Sequence, residues 1–202
     1  MPSPAARQQV DALLGFWFPP GLDYPALNRR WFEEGRTLDE EIRRRFGTLY
    51  GQACRGELRD WSETPRSRLA LILLLDQFSR HLYRNTPAAF AQDTQAQALT
   101  LEGLQRGHDQ VLAPVERVFF YLPLEHAEDR ALQTRSVELF ESLLRAVPQE
   151  DQEHFAGYLD YARRHREVIG RFGRFPDLNI ILGRDTTPEE AAFLKQPGSS
   201  FL

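Results

Sequence analysis

At 202 residues, with 42% hydrophobic and 27% charged side chains, the chain has a globular balance and a length that suits one well-packed domain, residues 1–202. Its formal charge of −4 disfavours nucleic acid as a partner, and its longest apolar run, residues 69–75, is far short of the about 20 residues that a membrane span needs. The lone Cys54 excludes an intrachain disulfide and a four-cysteine zinc site, and the opening Met-Pro-Ser-Pro-Ala-Ala-Arg has no basic stretch followed by an apolar one, so a soluble cytoplasmic protein is expected. Lys195 is the only lysine among the 25 basic residues. Arginine grips carboxylates and phosphates bidentately; codon bias in a GC-rich genome is the blander account of the same excess.

Helical period and helical punctuation run through nearly the whole chain. Ser3-Pro4 supplies a cap and a first-turn proline, after which Val10, Leu13, Leu14, Trp17 and Phe18 share one face until Pro19-Pro20-Gly21 ends the helix. A short helix from about Pro25 buries Leu27, Trp31 and Phe32. Thr37-Leu38-Asp39-Glu40 reads as a capping box, followed by the stripe Leu38, Ile42, Phe46, Leu49, Tyr50 and Ala53. Thr64-Pro65 opens the most apolar helix, which runs to about Tyr83. Thr86-Pro87 repeats the signal and turns Phe90, Thr94, Ala98 and Leu101 inward. Pro114 begins a short helix with Val115, Val118, Phe119 and Leu122, stopped by Pro123. Long helices follow at about 128–147 and 150–172, and Thr187-Pro188-Glu189-Glu190 caps a last one. Trp17, Trp31 and Trp61 read as core aromatics.

Nothing alternates apolar and polar at period two for long enough to make a strand. The chain is therefore predicted to be all-α. Its short connections favour antiparallel hairpins stacked as a tetratricopeptide-like right-handed array, although no fixed-period repeat is present. Residues 107–114 form the one candidate midpoint linker.

Polar residues at apolar positions mark the candidate sites. Leu69, Ile72 and Leu73 define a stripe whose next member is Asp76; Gln77 is beside it, and Arg80 and Arg84 continue at four-residue steps. In the helix from about Glu150, the stripe Phe155, Tyr158, Leu159, Ala162 and Ile169 has Arg166 near its centre and His165 at its edge. A buried charge needs a partner, so Asp76 is expected to face Arg80, Arg166 or another basic group. Such a network either fixes helix register or lines a polar pocket with shifted proton affinities.

His126, beside Glu125, Glu128 and Asp129, matches no metal-binding spacing but has the proton affinity of a general acid or base. His81, His108 and His154 have no evident partner. The run from Arg171 to Asn179 places Arg171 just before Gly173, a helix C-terminal glycine, and Arg174 and Asn179 on a loop beyond it, with Arg184 further on. These side chains either bind an anion or satisfy the last helix carbonyls.

Three segments carry a resemblance. Residues 75–84 (Leu-Asp-Gln-Phe-Ser-Arg-His-Leu-Tyr-Arg), residues 117–123 (Arg-Val-Phe-Phe-Tyr-Leu-Pro) with His126 after them, and residues 165–176 (His-Arg-Glu-Val-Ile-Gly-Arg-Phe-Gly-Arg-Phe-Pro) resemble the bacterial domain-of-unknown-function 924 family over about Val10 to Phe201. The resemblance implies an all-α right-handed superhelix of the tetratricopeptide-like superfamily and no agreed activity. Ser79 and His81 stand where that family's pattern has proline and asparagine, and Asp177-Leu178 where it has histidine and arginine.

Two functions compete. One is a helical module binding a peptide or protein partner. The other is an enzyme or receptor for a small anionic ligand held by Asp76, Gln77, Arg80, Arg84, His126, His165, Arg166, Arg171, Arg174 and Asn179, without metal or cofactor. A purely structural network is the third reading.

Overall fold

Ser3, Thr64 and Thr187 each accept a hydrogen bond from the backbone N–H three residues on (Ala6, Ser67 and Glu190), and each is followed by a proline at the first helical position. These caps open α1 (Pro4–Trp17), α4 (Pro65–Leu73) and α11 (Pro188–Phe193) in the computed structural model, which describes residues 3–201. Between them lie α2 (Tyr24–Asn28), α3 (Asp39–Cys54), α5 (Ser79–Leu82), α6 (Asp93–Gln105), α7 (Pro114–Glu125), α8 (Arg130–Ala146), α9 (Gln152–Phe172) and α10 (Asn179–Leu182). Every regular element among the described residues is helical.

The core follows the apolar stripes. Leu69, Ala70, Leu71, Ile72, Leu73, Leu74 and Leu75 are all buried, as are Trp17, Trp31 and Trp61. The Trp17 ring meets Phe78 at 5.3 Å and Phe119 at 5.5 Å, joining α1 to α7 through the segment after α4. Tyr121 packs on Phe140 while Gln133 reaches back to the Glu125 carbonyl, so α7 and α8 run antiparallel. Arg130 bonds Gly170 and Arg163 pairs with Glu141, which sets α9 antiparallel to α8. A fully buried guanidinium, Arg68, ties α4 to α6. It donates to the Leu99 carbonyl at 2.8 Å, the Ser62 carbonyl at 2.6 Å and His108 Nδ1 at 3.2 Å. Gly103 allows this approach, because a Cβ there would lie 2.5 Å from the Phe120 ring and 2.7 Å from the Arg68 chain.

Several local expectations are corrected. Thr37 caps no helix: its hydroxyl donates to the Glu34 carbonyl, a 3-10 turn occupies Gly35–Leu38, and α3 starts at Asp39. Thr86-Pro87 opens only a 3-10 turn, Pro87–Phe90, and α6 starts later with Ala96, Thr100 and Gly103 inward, leaving Thr94 and Ala98 exposed. Phe32 is 56% exposed. The segment 107–114 holds the turn His108–Val111, whose Asp109 is buried and accepts a 2.8 Å bond from the Tyr121 hydroxyl. Pro123 does not stop α7, which continues to Glu125. Proline removes one N–H from the ladder, yet the two residues after it stay helical. That extra turn carries Glu125 into the interior and delivers His126 at the helix end.

Candidate acid–base site

The helix that begins at α4 widens into a π turn, Leu74–Phe78, before resuming as α5. Such turns displace backbone carbonyls from the regular ladder. Here the Asp76 carbonyl accepts from Ser79 Oγ at 2.8 Å and Arg80 Nη1 at 2.7 Å. The Asp76 side chain is fully buried and surrounded by donors. His126 Nδ1 lies 2.7 Å from Oδ1, Gln77 Nε2 2.6 Å from Oδ2, and Arg80 Nη1 3.3 Å from Oδ1. Burial alone would raise this carboxyl. The charges of His126 and Arg80 and the bonds from His126 and Gln77 outweigh it, holding Asp76 well below the usual carboxylate range.

An ionised carboxylate only accepts, so His126 Nδ1 carries the proton and Nε2 is left without a protein partner. Arg80 is committed at its far end as well, clasping Asp93 with bonds of 3.0 and 3.1 Å. Burial and the neighbouring Asp76 charge push the Asp93 carboxyl up against the pull of Arg80.

Beside His126 stands a second pair of ionisable groups. The rings of His126 and His165 are 6.3 Å apart, and His165 Nδ1 is 3.4 Å from Glu125 Oε1. That Nδ1 also lies 2.8 Å from the Tyr161 carbonyl. A carbonyl only accepts, so Nδ1–H points there and leaves the Glu125 carboxyl with no hydrogen bond. Burial, reinforced by the Asp76 charge, pushes Glu125 up to about 8, and burial pushes His165 down to about 3. Both are therefore neutral near pH 7.

Gln133 donates its amide to the carbonyls of Glu125 and Ala127, bracing the end of α7, while its Oε1 and the buried Ser136 Oγ one turn later find no partner. Phe201 covers His165, ring on ring at 3.8 Å, and its backbone N–H is held by Asp177 at 2.8 Å.

Asp76, Gln77, Arg80, His126 and His165 are thus brought together. Arg84 is directed elsewhere, donating to Asp39 at 2.7 and 2.9 Å in a cluster that includes His81, 2.7 Å from the same carboxylate. The expected placement of Arg166 on the buried face of α9 is corrected: Arg166 is exposed and His165 is buried. Arg171 pairs with Glu189 at 3.0 Å and Arg174 with Glu190 at 2.7 Å. Asn179 donates to Glu190 at 3.2 Å, and Arg184 clasps Glu128 at 2.7 Å. Gly173 takes the left-handed conformation expected of it, at φ +71°.

Asp93 is not singled out by the sequence, and Glu125 is marked there only as a neighbour of His126. Glu125 continues the spacing Val118, Tyr121, Leu122 along the buried face of α7, a signal concealed by reading Pro123 as a stop. Among the described residues no three His, Cys, Asp or Glu side chains are grouped as metal ligands would be.

Residues 13–198 match the family described as bacterial protein of unknown function (DUF924), and the chain belongs to that family. It is also similar to a solved protein of unknown function from Agrobacterium tumefaciens, at 40% identity and a TM-score of 0.77, the match covering 95% of this chain and 97% of that one. No curated protein matches.

Proposed function

We propose that this DUF924 protein is an enzyme that holds a small polar molecule between the π turn, the end of α7 and α9, and removes a proton from it with His126. The observation that carries this reading is the 2.7 Å contact of His126 Nδ1 with the buried Asp76 carboxylate. A carboxylate on one imidazole nitrogen fixes the tautomer and orientation and stabilises the imidazolium that forms when the other nitrogen takes a proton. Arg80, Gln77 and Asp93 keep Asp76 in place, so the base is held by side chains whose own positions are fixed. His126 is partly exposed and can return its proton to water.

Of the arginines expected to grip an anion, Arg80, Arg84, Arg171 and Arg174 are engaged with carboxylates, and Arg166 is exposed on α9. This favours proton transfer over anion capture as the work of the site.

A test follows a metabolite mixture by NMR with the wild-type chain and with His126→Gln. Turnover is expected to fall at least about 100-fold in the variant, with its melting temperature kept within a few degrees. Absence of turnover in the wild type, or turnover unchanged by the substitution, speaks against the reading.

A second reading keeps the tetratricopeptide-like stacking of hairpins in the cytoplasm and uses it as a module for a peptide or protein. Its support is Phe32, 56% exposed and parallel to the Phe119 ring at the edge of the aromatic core.

A further inference from the structure

We propose that the molecule held at this site is a small protonated amine, received by the Glu125 carboxyl and by the hydrogen-bond acceptors around it. This rests on the acid–base reading above and adds the class of ligand.

Apart from two hydroxyl groups, that of Ser136 and that of the protonated Glu125 carboxyl, the unsatisfied positions are acceptors. Glu125 is 3% exposed and no hydrogen bond reaches its carboxyl, since the nearby His165 proton is given to Tyr161. His165, neutral near pH 7, keeps its proton on Nδ1, which makes its Nε2 an acceptor without a protein partner. Gln133 spends both donors of its amide on main-chain carbonyls and leaves Oε1, an acceptor, buried and unpaired; the Ser136 hydroxyl can act either way. A ligand that completes these groups must donate several hydrogen bonds. An ammonium does that: it has three donors and no acceptor.

Charge agrees. Asp76 and Asp93 share a single guanidinium, that of Arg80, whose donors already serve both. An anion entering here would meet acceptors and carboxylates with no free cation, while an ammonium would gain an ion pair with Glu125. The groups facing Glu125 (Asp76, His126 and His165) leave it as the carboxyl that changes state. On binding, the amine enters as R–NH3+, the Glu125 O–H bond breaks, its proton leaves to solvent, and an ammonium–carboxylate pair remains.

The experiment uses the full chain and three amine probes, methylamine, n-butylamine and benzylamine, with acetate, succinate and inorganic phosphate as anionic arms and acetamide as the neutral arm. Thermal shift is expected to respond to at least one amine and to none of the anions. Calorimetry at pH 7 in two buffers of different ionisation enthalpy is expected to show close to one proton released per site. Glu125→Gln is expected to weaken amine binding at least about 10-fold and to abolish the release. Loss of turnover without amine binding therefore overturns the ligand class alone, and amine binding with no His126-dependent turnover overturns the catalytic reading alone. The ligand proposal is also overturned if an anion raises the melting temperature and no amine does, if no amine binds, or if amine binding is unchanged in Glu125→Gln.

Discussion

Glu125→Gln is expected to make the chain more stable, by about 3 kcal/mol at pH 7. Glutamine has the shape and neutrality of the protonated carboxyl that the fold holds. Burial pushes Glu125 up to about 8 in the folded chain. In the unfolded chain it titrates near the ordinary value of about 4.3, so each pH unit between the two costs about 1.4 kcal/mol. The sign is opposite to that of a salt-bridged carboxylate. Because the folded value is raised, the unfolded chain loses its proton first, and native stability declines as pH rises from about 4.3 toward 8. The advantage of the variant should therefore be near zero at pH 4, grow through pH 7 and level off above pH 8. Urea unfolding across that range checks it, and a variant that is less stable at every pH would mean that Glu125 has a partner in the folded chain. A buried group whose removal strengthens the fold is one that the fold retains for a reason other than stability.

Asp76→Asn is expected to act the other way, with a loss of about 3 kcal/mol at pH 7, in the range for breaking a buried ion pair. The carboxylate is enclosed by His126, Arg80 and Gln77, and the amide can serve as acceptor to only part of that set. The pH dependence has its own sign. The folded-state proton affinity of Asp76 is depressed, so its stabilisation is present above the ordinary carboxylate value of about 3.9 and is lost as pH falls through the lower folded value. The gap between wild type and variant should be full from pH 5 to 7 and close progressively below pH 4. Urea unfolding at pH 6 and pH 3 measures it; a gap unchanged between the two would place the stabilisation outside the ion pairs.

The two carboxyls differ in how readily a sequence discloses them. Asp76 was legible because Leu69, Ile72 and Leu73 predict its side of the helix, and Arg80 four residues on is its partner in space as in sequence. On α9 both His165 and Arg166 continue the stripe between Ala162 and Ile169, because three- and four-residue steps fit it equally. What decides is the neighbour: Glu125 and the Phe201 ring accommodate a neutral imidazole and leave the guanidinium at the surface.

Contacts across long separations were not legible at all. Asp93 reaching Arg80, Asp39 reaching His81 and Arg84, and Arg184 reaching Glu128 depend on how the helices pack, and no local spacing encodes that. Start signals were legible where a proline followed a hydroxyl with free N–H groups beyond it, as at Thr64 and Thr187. Thr86 failed because its hydroxyl turns back to the Tyr83 carbonyl.

A neutral carboxyl buried beside a carboxylate-anchored histidine is the feature from which the proton-transfer site and its ligand class both follow. Its most direct test is the carbon-13 NMR titration of the Glu125 side-chain carboxyl in glutamate-labelled protein, assigned by its absence in Glu125→Gln. A midpoint near pH 8 is expected. A midpoint near the ordinary value of about 4.3 would show an ionised, partnered Glu125 and contradict the site.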